Sequence, residues 1–123
     1  MLTAERLKAL CLDQPSAEET FPFNAELSVF KVGGKVFALT DLDATPLRIS
    51  LKCVPEVATK LRVEYPAITG GYHLNKQHWN TVLIDGSVPD DLVREMIEDS
   101  YDLVRAKLPK AVRITLGDVG PGK

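Results

Sequence analysis

Two adjacent glycines in a strand-like stretch restrict the fold of this chain more than any other feature of its sequence. Gly33-Gly34 separates two runs rich in Val, Leu and Phe, which cover residues 25–32 and 35–40. Glycine adopts positive φ without strain, and the two-residue turns that join antiparallel strands need positive φ. The pattern predicts a β-hairpin, around which an antiparallel sheet is expected to form.

A third strand is predicted at residues 47–53, where apolar and polar residues alternate strictly. Successive side chains of a strand point to opposite faces of a sheet. The apolar positions are therefore expected to face a core, while Arg48, Ser50 and Lys52 point to the other face and carry two cations into solvent. A fourth strand is expected over residues 80–85.

Three helices complete the predicted fold. Apolar stripes at helical spacing, each with a capping residue or a proline at the first turn, favour helices over residues 3–12, 55–63 and 89–107. The order αβββαβα predicts an α+β fold with helices packed on one face of a mostly antiparallel sheet. A single domain is expected over residues 1–112, followed by a flexible tail at 113–123.

Two connections between these elements are expected to be irregular. Residues 17–24 show no periodicity and are interpreted as a loop, with Phe21 and Phe23 tucked under the core. Residues 69–71, Thr-Gly-Gly, are interpreted as a flexible turn. Both segments are therefore left outside the predicted sheet.

Composition excludes several classes of protein. The chain has 123 residues, of which 45% are hydrophobic and 26% charged, as in one globular domain. A formal net charge of −2 excludes a protein that coats nucleic acid through bulk positive charge. No apolar run is long enough to cross a membrane, and residues 1–6 lack a signal-peptide layout. Because Cys11 and Cys53 show no disulfide-rich or CxxC pattern, a reduced, cytoplasmic protein without membrane contact is expected.

Positive charge is concentrated in the middle of the chain. Residues 44–80 carry five cations and two acids, a net charge of +3, whereas residues 1–43 and 81–123 are both net negative. The candidate nucleic-acid or anion-binding residues of this segment are Arg48, Lys52, Lys60, Arg62, His73, Asn75, Lys76 and His78. Their use as one site requires that they meet on a common exposed surface. The alternative interpretation is that the segment is only a solvated face.

The stretch Tyr72–Trp79 holds the densest mixture of polar and aromatic groups. Its donors, acceptors, cation and aromatic rings make it a candidate site for a small anion or a protein partner. Each group also has a structural interpretation: Asn75 is suited to pinning the turn, and His78 to pairing with a buried carbonyl. Trp79 is expected to be a core side chain.

No arrangement typical of catalysis is found in the sequence. His73 and His78 are five residues apart, unlike the i, i+4 pair of a zinc-binding helix. Cys53 continues an apolar strand face, where a buried thiol is expected, although a nucleophilic Cys53 paired with a histidine stays a minor alternative. Phosphate-binding glycine loops and a GxSxG elbow are absent. We therefore predict no catalytic residue, no metal site and no cofactor, and no enzymatic activity.

Three motifs in the second half of the chain resemble one protein family. They are HLNKQHWNTV at residues 73–82, DGSVP at 85–89 and SYDLV at 100–104. On these motifs the chain resembles the MmcQ/YjbR-like family of small bacterial proteins. Upstream, VFAL at 36–39 and LKC at 51–53 match the second and third strands of that family, so that the resemblance covers roughly residues 3–108.

The resemblance implies a fold and a hypothesis about function. The family resembles the frataxin-like (CyaY-like) fold, in agreement with the predicted order, and its sheet has been likened to a double-wing DNA-binding surface. It supplies no catalytic residues. Frataxin-like iron handling is not implied, because it relies on an acidic first helix, whereas residues 1–12 contain Glu5 against Arg6 and Lys8.

Two functions are consistent with these features. The leading hypothesis is a DNA-binding module that uses its sheet and adjoining turns, with weak affinity because the net charge of −2 opposes binding. The alternative is a small-ligand or partner-protein binding module centred on Tyr72–Trp79. Both a monomer and a homodimer are compatible with the sequence.

Overall fold

The computed structural model describes residues 1–117, which form one six-stranded antiparallel sheet and four helices. The strands are β1 (Glu18–Thr20), β2 (Leu27–Val32), β3 (Lys35–Asp41), β4 (Arg48–Lys52), β5 (Ile68–Gly70) and β6 (Trp79–Leu83). The helices are α1 (Ala4–Leu12), α2 (Pro55–Glu64), α3 (Asp90–Ala106) and α4 (Lys110–Thr115). Across the sheet the strands follow the order β1-β2-β3-β4-β6-β5.

The helices cover one face of the sheet and share a single core with it. α3 packs across β2, β3 and β4, α2 packs against β5 and β6, and α1 packs against α3. At the start of α1, Thr3 Oγ1 accepts a hydrogen bond of 3.1 Å from the amide of Arg6, as expected for a capping residue. The largest fully buried side chains of the core include Leu7, Phe30, Phe37, Ile49, Leu51 and Ile97.

A β-bulge interrupts the central hairpin near its turn. Phe30 pairs with Ala38, but the next pair along the ladder is Lys31 with Val36. Phe37 is therefore the extra residue of the bulge and does not follow the alternation of its strand. Its ring is fully buried on the helix-covered side.

The structure confirms the predicted α+β architecture and every predicted helix and strand, with ends that agree within two residues. β1, β5 and α4 were not predicted. β1 lies inside the segment interpreted as a loop, and β5 overlaps the expected turn at 69–71. Three-residue strands are too short to show an alternating pattern, and their partners across the sheet are distant in sequence. In residues 1–117 no helix combines the length and apolar character needed to span a membrane.

Two expectations about the connections differ from the structure. Phe21 and Phe23 are 50% and 70% exposed, so the prediction that they tuck under the core is wrong. The reason is β1, whose pairing with β2 keeps the chain at the sheet edge. The expected domain boundary at residue 112 falls within α4, and Leu116 still packs against the core. Residues 118–123 of the expected tail lie outside the described part of the chain.

Candidate functional site

The sheet face turned away from the helices, which we call the outer face, has a packed centre. Strand register places one row of side chains across all six strands of this face: Thr20, Val29, Leu39, Ser50, Thr81 and Thr69. Ser50 and Thr81 share a buried hydrogen bond of 2.8 Å between their hydroxyl oxygens, and Val29 has no exposed surface. The middle of the outer face is therefore buried, and solvated cations do not account for the whole of this face.

Lys52 and Trp79 lie opposite each other on the outer face. Alternation along β4 turns Ile49 and Leu51 into the core, and so turns Lys52 outward. The register pairs Lys52 with Trp79, and both side chains are half-buried. Trp79 was expected in the core, and that expectation is wrong because its strand begins at this residue with the indole on the outer face.

Arg48 shares the outer face with Lys52 but lies at the other end of β4. Four residues of a strand separate the two by about 13 Å, at roughly 3.3 Å per residue. Leu39 pairs with Ser50, and continuing this register by two residues places Asp41 opposite Arg48. The two β4 cations therefore occupy different electrostatic environments.

Lys60 lies on the helix-covered side of the sheet. It is exposed on α2, whose Ala58 is fully buried. The side-chain amide of Asn80 donates a hydrogen bond of 3.4 Å to the carbonyl oxygen of Ala58, which joins α2 to the core face of β6. Lys60 and Lys52 are thus on opposite sides of the sheet, and the structure does not bring them together.

Arg62 and Lys76 meet, but their donors bind backbone carbonyl groups. Arg62 Nη2 donates a hydrogen bond of 2.7 Å to the carbonyl oxygen of Lys76, and Lys76 Nζ donates one of 3.1 Å to the carbonyl oxygen of Gly71. Arg62 Nε also donates to Ala58. The bond from Arg62 to Lys76 attaches the turn between β5 and β6 to α2, and the bond from Lys76 to Gly71 closes the turn on itself, so both cations have a structural role.

The remaining candidate residues also shape this turn. Asn75 Oδ1 accepts a hydrogen bond of 2.9 Å from the amide of Gln77, which is the pinning role expected for this asparagine. His73 has a left-handed backbone, and its exposed ring lies 4.0 Å from that of Tyr72. His78 is half-buried and accepts a hydrogen bond at its backbone oxygen from the amide of Cys53. Tyr72 and His73 are therefore the side chains of the turn that present ring surface to solvent.

The two ends of the sheet differ in charge. The Gly33-Gly34 turn marks one end, the hairpin end, at which β2, β4 and β5 finish and β1, β3 and β6 begin. The hairpin end carries the cations Lys31, Lys35, Lys52 and Lys76, together with the acid Glu18 opposite Lys31 and the acids Asp99 and Asp102 of α3 beside Cys53. The connections at the opposite end carry the acids Glu26, Asp41, Asp43, Asp85, Asp90 and Asp91. The expected common basic surface therefore forms only in part: Lys52 and Lys76 share an end of the sheet, while Arg48 lies at the acidic end.

None of the five cations from residues 44–80 takes part in an ion pair with another of the residues 1–117. The ion pairs in this part of the chain that involve side-chain cations are Lys8 with Glu19 and Arg94 with Asp91. No ion pair within these residues therefore neutralises the candidate cations. Lys31 and Lys35 were missed by the sequence analysis, because they lie in a segment whose net charge is negative.

The environment of the cysteines is unfavourable for nucleophilic chemistry. A groove of about 320 Å³ between α2 and α3 is lined by Cys53, Asp99 and Asp102 together with apolar side chains. Burial, and then the negative charge of Asp99, raise the pKa of Cys53 above the ordinary value of 9.0. Burial, and then Glu19, raise the pKa of Cys11 to about 12. A protonated thiol is a poor nucleophile.

Residues 1–117 contain no group of three or more His, Cys, Asp or Glu side chains placed to hold a metal ion.

Comparison with known proteins agrees with this fold. The model of the YjbR family matches residues 12–103. Protein YbdF of Escherichia coli O157:H7 is 40% identical over 107 residues, which cover 86% of this chain and 87% of YbdF. Protein YjbR of E. coli K12 is 32% identical over 112 residues, which cover 91% of this chain and 95% of YjbR. Both relatives are described as uncharacterized proteins.

Solved structures extend the similarity to the whole fold. Deinococcus radiodurans protein DR2400, with a DUF419 domain, is 47% identical and superposes with a TM-score of 0.88 over 95% of this chain and 89% of its own. A Pseudomonas syringae protein is 26% identical, with a TM-score of 0.72 over 84% of this chain and 99% of its own. The match to the family model and the identity to YbdF and YjbR show that this chain belongs to the YjbR family.

Proposed function

We propose that the protein is a DNA-binding module that uses the outer face of its sheet and the turns at the hairpin end, without catalytic activity of its own. One observation carries this proposal. Lys52 lies beside Trp79 on a sheet face that no helix of residues 1–117 covers, and it has no ion-pair partner among those residues.

The chemistry of this pair suits a nucleic acid. A lysine ammonium group contacts phosphate oxygens, and an indole offers a flat surface on which a base stacks. Base stacking on an aromatic side chain is worth about 1–3 kcal/mol by alanine substitution. Open sheets in other nucleic-acid-binding proteins use the same combination of strand-borne aromatic and basic groups.

The charge distribution limits the affinity. The net charge of −2 repels a polyanion, and Arg48 lies beside Asp41 at the acidic end of the sheet. Each phosphate contact contributes about 0.9 to the slope of log affinity against log salt for duplex DNA. We therefore expect weak binding that is measurable at low salt and lost as salt is raised.

Fluorescence anisotropy with labelled duplex and single-stranded DNA tests the proposal. Lys52→Ala is expected to weaken binding and lower the salt slope by about one. The matched control is Lys60→Ala, which removes the same charge from the opposite side of the sheet and is expected to leave the slope unchanged. Absence of binding by the wild-type protein at tens of micromolar, or equal effects of the two variants, would overturn the proposal.

The alternative function is a small-anion site at Tyr72–Trp79. A thermal-stability measurement on the same proteins distinguishes it from DNA binding. The exposed rings of Tyr72 and His73, which lie 4.0 Å apart and tilted by 50°, favour a ligand there, but Lys76 and Arg62 already donate to backbone carbonyl groups. Thermal stabilisation by inorganic phosphate that is lost in His73→Ala, without any binding of DNA, would favour this alternative.

A further inference from the structure

The last part of the described chain is strongly basic. Residues 103–117 carry four cations, Arg105, Lys107, Lys110 and Arg113, and not one Asp or Glu. The segment around the hairpin turn, residues 31–35, adds Lys31 and Lys35 and is equally free of acids. These two segments are far apart in sequence. Each lies in a longer segment with a negative net charge, residues 1–43 and 81–123, so the charge summed over those segments does not reveal them.

The fold brings the two segments into contact. A Cβ atom built on Gly33 would lie 2.7 Å from Leu108 Cδ1 and 3.0 Å from Val112 Cγ1. The hairpin turn therefore presses against the corner at which α3 ends and α4 begins. Around this contact Lys35, Lys107 and Lys110 are all exposed. We call these three lysines the basic corner.

The positive charge of the basic corner is not neutralised by ion pairs within the described residues. None of its three lysines forms an ion pair with another residue in the described range 1–117. The acids at this end include Glu18, which pairs across the ladder with Lys31, and Asp99 and Asp102, which line the groove beside Cys53. In a protein of net charge −2, the three lysines of the corner give this part of the hairpin end a locally positive potential that attracts polyanions.

The corner is continuous with the outer face. Lys31 lies on that face, because its partner Glu18 is two residues from Thr20, a member of the outer-face row. Lys31 is the last residue but one of β2 and Lys52 the last of β4; β3 separates the two strands, and both lysines lie on the outer face at the hairpin end. A ligand with repeated anionic groups that lies over Lys52 and Lys31 therefore reaches Lys35 and the helix corner without crossing the acidic end.

We infer that the basic corner is a second phosphate-contacting surface for DNA bound at the outer face. This inference rests on the proposed function, because the same strand of DNA is the occupant of both surfaces. DNA is favoured over an anionic membrane for a geometric reason. A linear chain of phosphates needs cations that follow one another, as they do around this end of the sheet, whereas a membrane-binding surface has cations that border an apolar face. The corner supplies sequence-independent affinity, while the outer face holds the aromatic contact.

Salt-dependent anisotropy with Lys107→Ala/Lys110→Ala tests the inference. Removing two phosphate contacts is expected to lower the salt slope for duplex DNA by about two, at roughly 0.9 per contact, and to weaken binding at low salt. The matched control is Lys60→Ala/Arg94→Ala, which changes the net charge equally but removes exposed cations outside the basic corner, Lys60 from α2 and Arg94 from its ion pair with Asp91 at the start of α3. All four replaced residues are exposed, so that both variants are expected to fold.

The outcomes separate this inference from the proposed function. Loss of slope in the corner variant but not in the control supports the inference. If the corner variant binds DNA with the wild-type salt slope while Lys52→Ala binds more weakly, the inference about the corner is wrong and the proposed function stands. If the corner and control variants lose the same amount of slope, the inference about the corner is also wrong. If the wild-type protein binds no DNA, both proposals fall; binding to anionic phospholipid vesicles that the corner variant loses would then identify a membrane as the ligand.

Discussion

The hydroxyl group of Ser100 donates a hydrogen bond of 2.6 Å to the carbonyl oxygen of Phe37. The hydroxyl oxygen of Ser100 in turn accepts a hydrogen bond of 2.8 Å from the backbone amide of Lys52. In the ladder between β3 and β4, Ala38 pairs with Leu51 and Leu39 with Ser50. A further step would pair Phe37 with Lys52, so one side chain of α3 joins the two backbones at the position where the bulge disturbs the ladder.

Ser100→Ala is therefore expected to lower the free energy of unfolding by about 1–3 kcal/mol. The substitution leaves a buried carbonyl group and a partly buried amide without their partner, and water has little access to replace it. Urea denaturation followed by circular dichroism measures the effect.

The control for this substitution is Thr59→Ala. Thr59 also donates its hydroxyl to a carbonyl group, that of Pro55 at 3.0 Å, but on the exposed surface of α2. Water replaces that partner, so the change in stability is expected to stay within about 0.5 kcal/mol. Equal stability of the wild type and the Ser100→Ala variant would show that the bridge between β3 and β4 contributes nothing.

The elements that the sequence predicted are those whose pattern repeats within the element itself. The hairpin, the alternating strand β4 and the long helix α3 each contain enough residues to show a period of two or 3.6. The same pattern-based argument fails for β1 and β5, whose three residues are fixed by partners on other strands. It fails for Trp79 as well, because its size indicates burial but does not decide which face of the sheet it occupies.

The candidate site was predicted less completely than the fold for a related reason. Lys52 was found because its charge stands out within an alternating strand. Lys35 and Lys107 were missed because their proximity depends on the approach of the hairpin turn to the end of α3, a contact between distant parts of the chain. An acid-free run such as residues 103–117 is the sequence signal that would have drawn attention to them.

The close approach of the hairpin turn to α3 predicts different effects for two neighbouring glycines. Both Gly33 and Gly34 have positive φ, of 56° and 81°, so alanine at either position introduces backbone strain of about 1–2 kcal/mol. Only Gly33 also lacks space, because its Cβ would lie 2.7 Å from Leu108. Gly33→Ala is therefore expected to cost about 1–3 kcal/mol more than Gly34→Ala, as overpacking typically does.

Chemical denaturation of both variants measures this difference. Gly34 is the internal control, since a Cβ atom added there would have no neighbour within 4 Å and only the backbone strain remains. Equal destabilisation by the two substitutions would mean that the turn does not press against the helix corner. The contact on which the basic corner depends would then be in doubt independently of any binding measurement.

The two cysteines are expected to differ in reactivity, and Asp99 is expected to contribute, after burial, to the raised pKa of Cys53. Cys53 is half-buried at a groove, whereas Cys11 is fully buried with a pKa of about 12. A thiol reagent should label Cys53 in the native protein and Cys11 only after unfolding. Because the negative charge of Asp99 disfavours the Cys53 thiolate, Asp99→Asn should lower the pKa of Cys53 and shift its rate profile to lower pH.

The matched control is Asp102→Asn, which removes a carboxylate that lines the same groove but is not among the groups that shift the pKa of Cys53. Labelling rates at about pH 8, near the ordinary pKa of a thiol, should rise for Asp99→Asn and stay at the wild-type value for Asp102→Asn, as resolved by peptide mass mapping. The rates should increase with pH in all three proteins, since only the thiolate reacts. Rapid native labelling of Cys53 at neutral pH would contradict the raised pKa. It would also restore the hypothesis of a nucleophilic cysteine, because an activated thiol at a groove is what that chemistry requires.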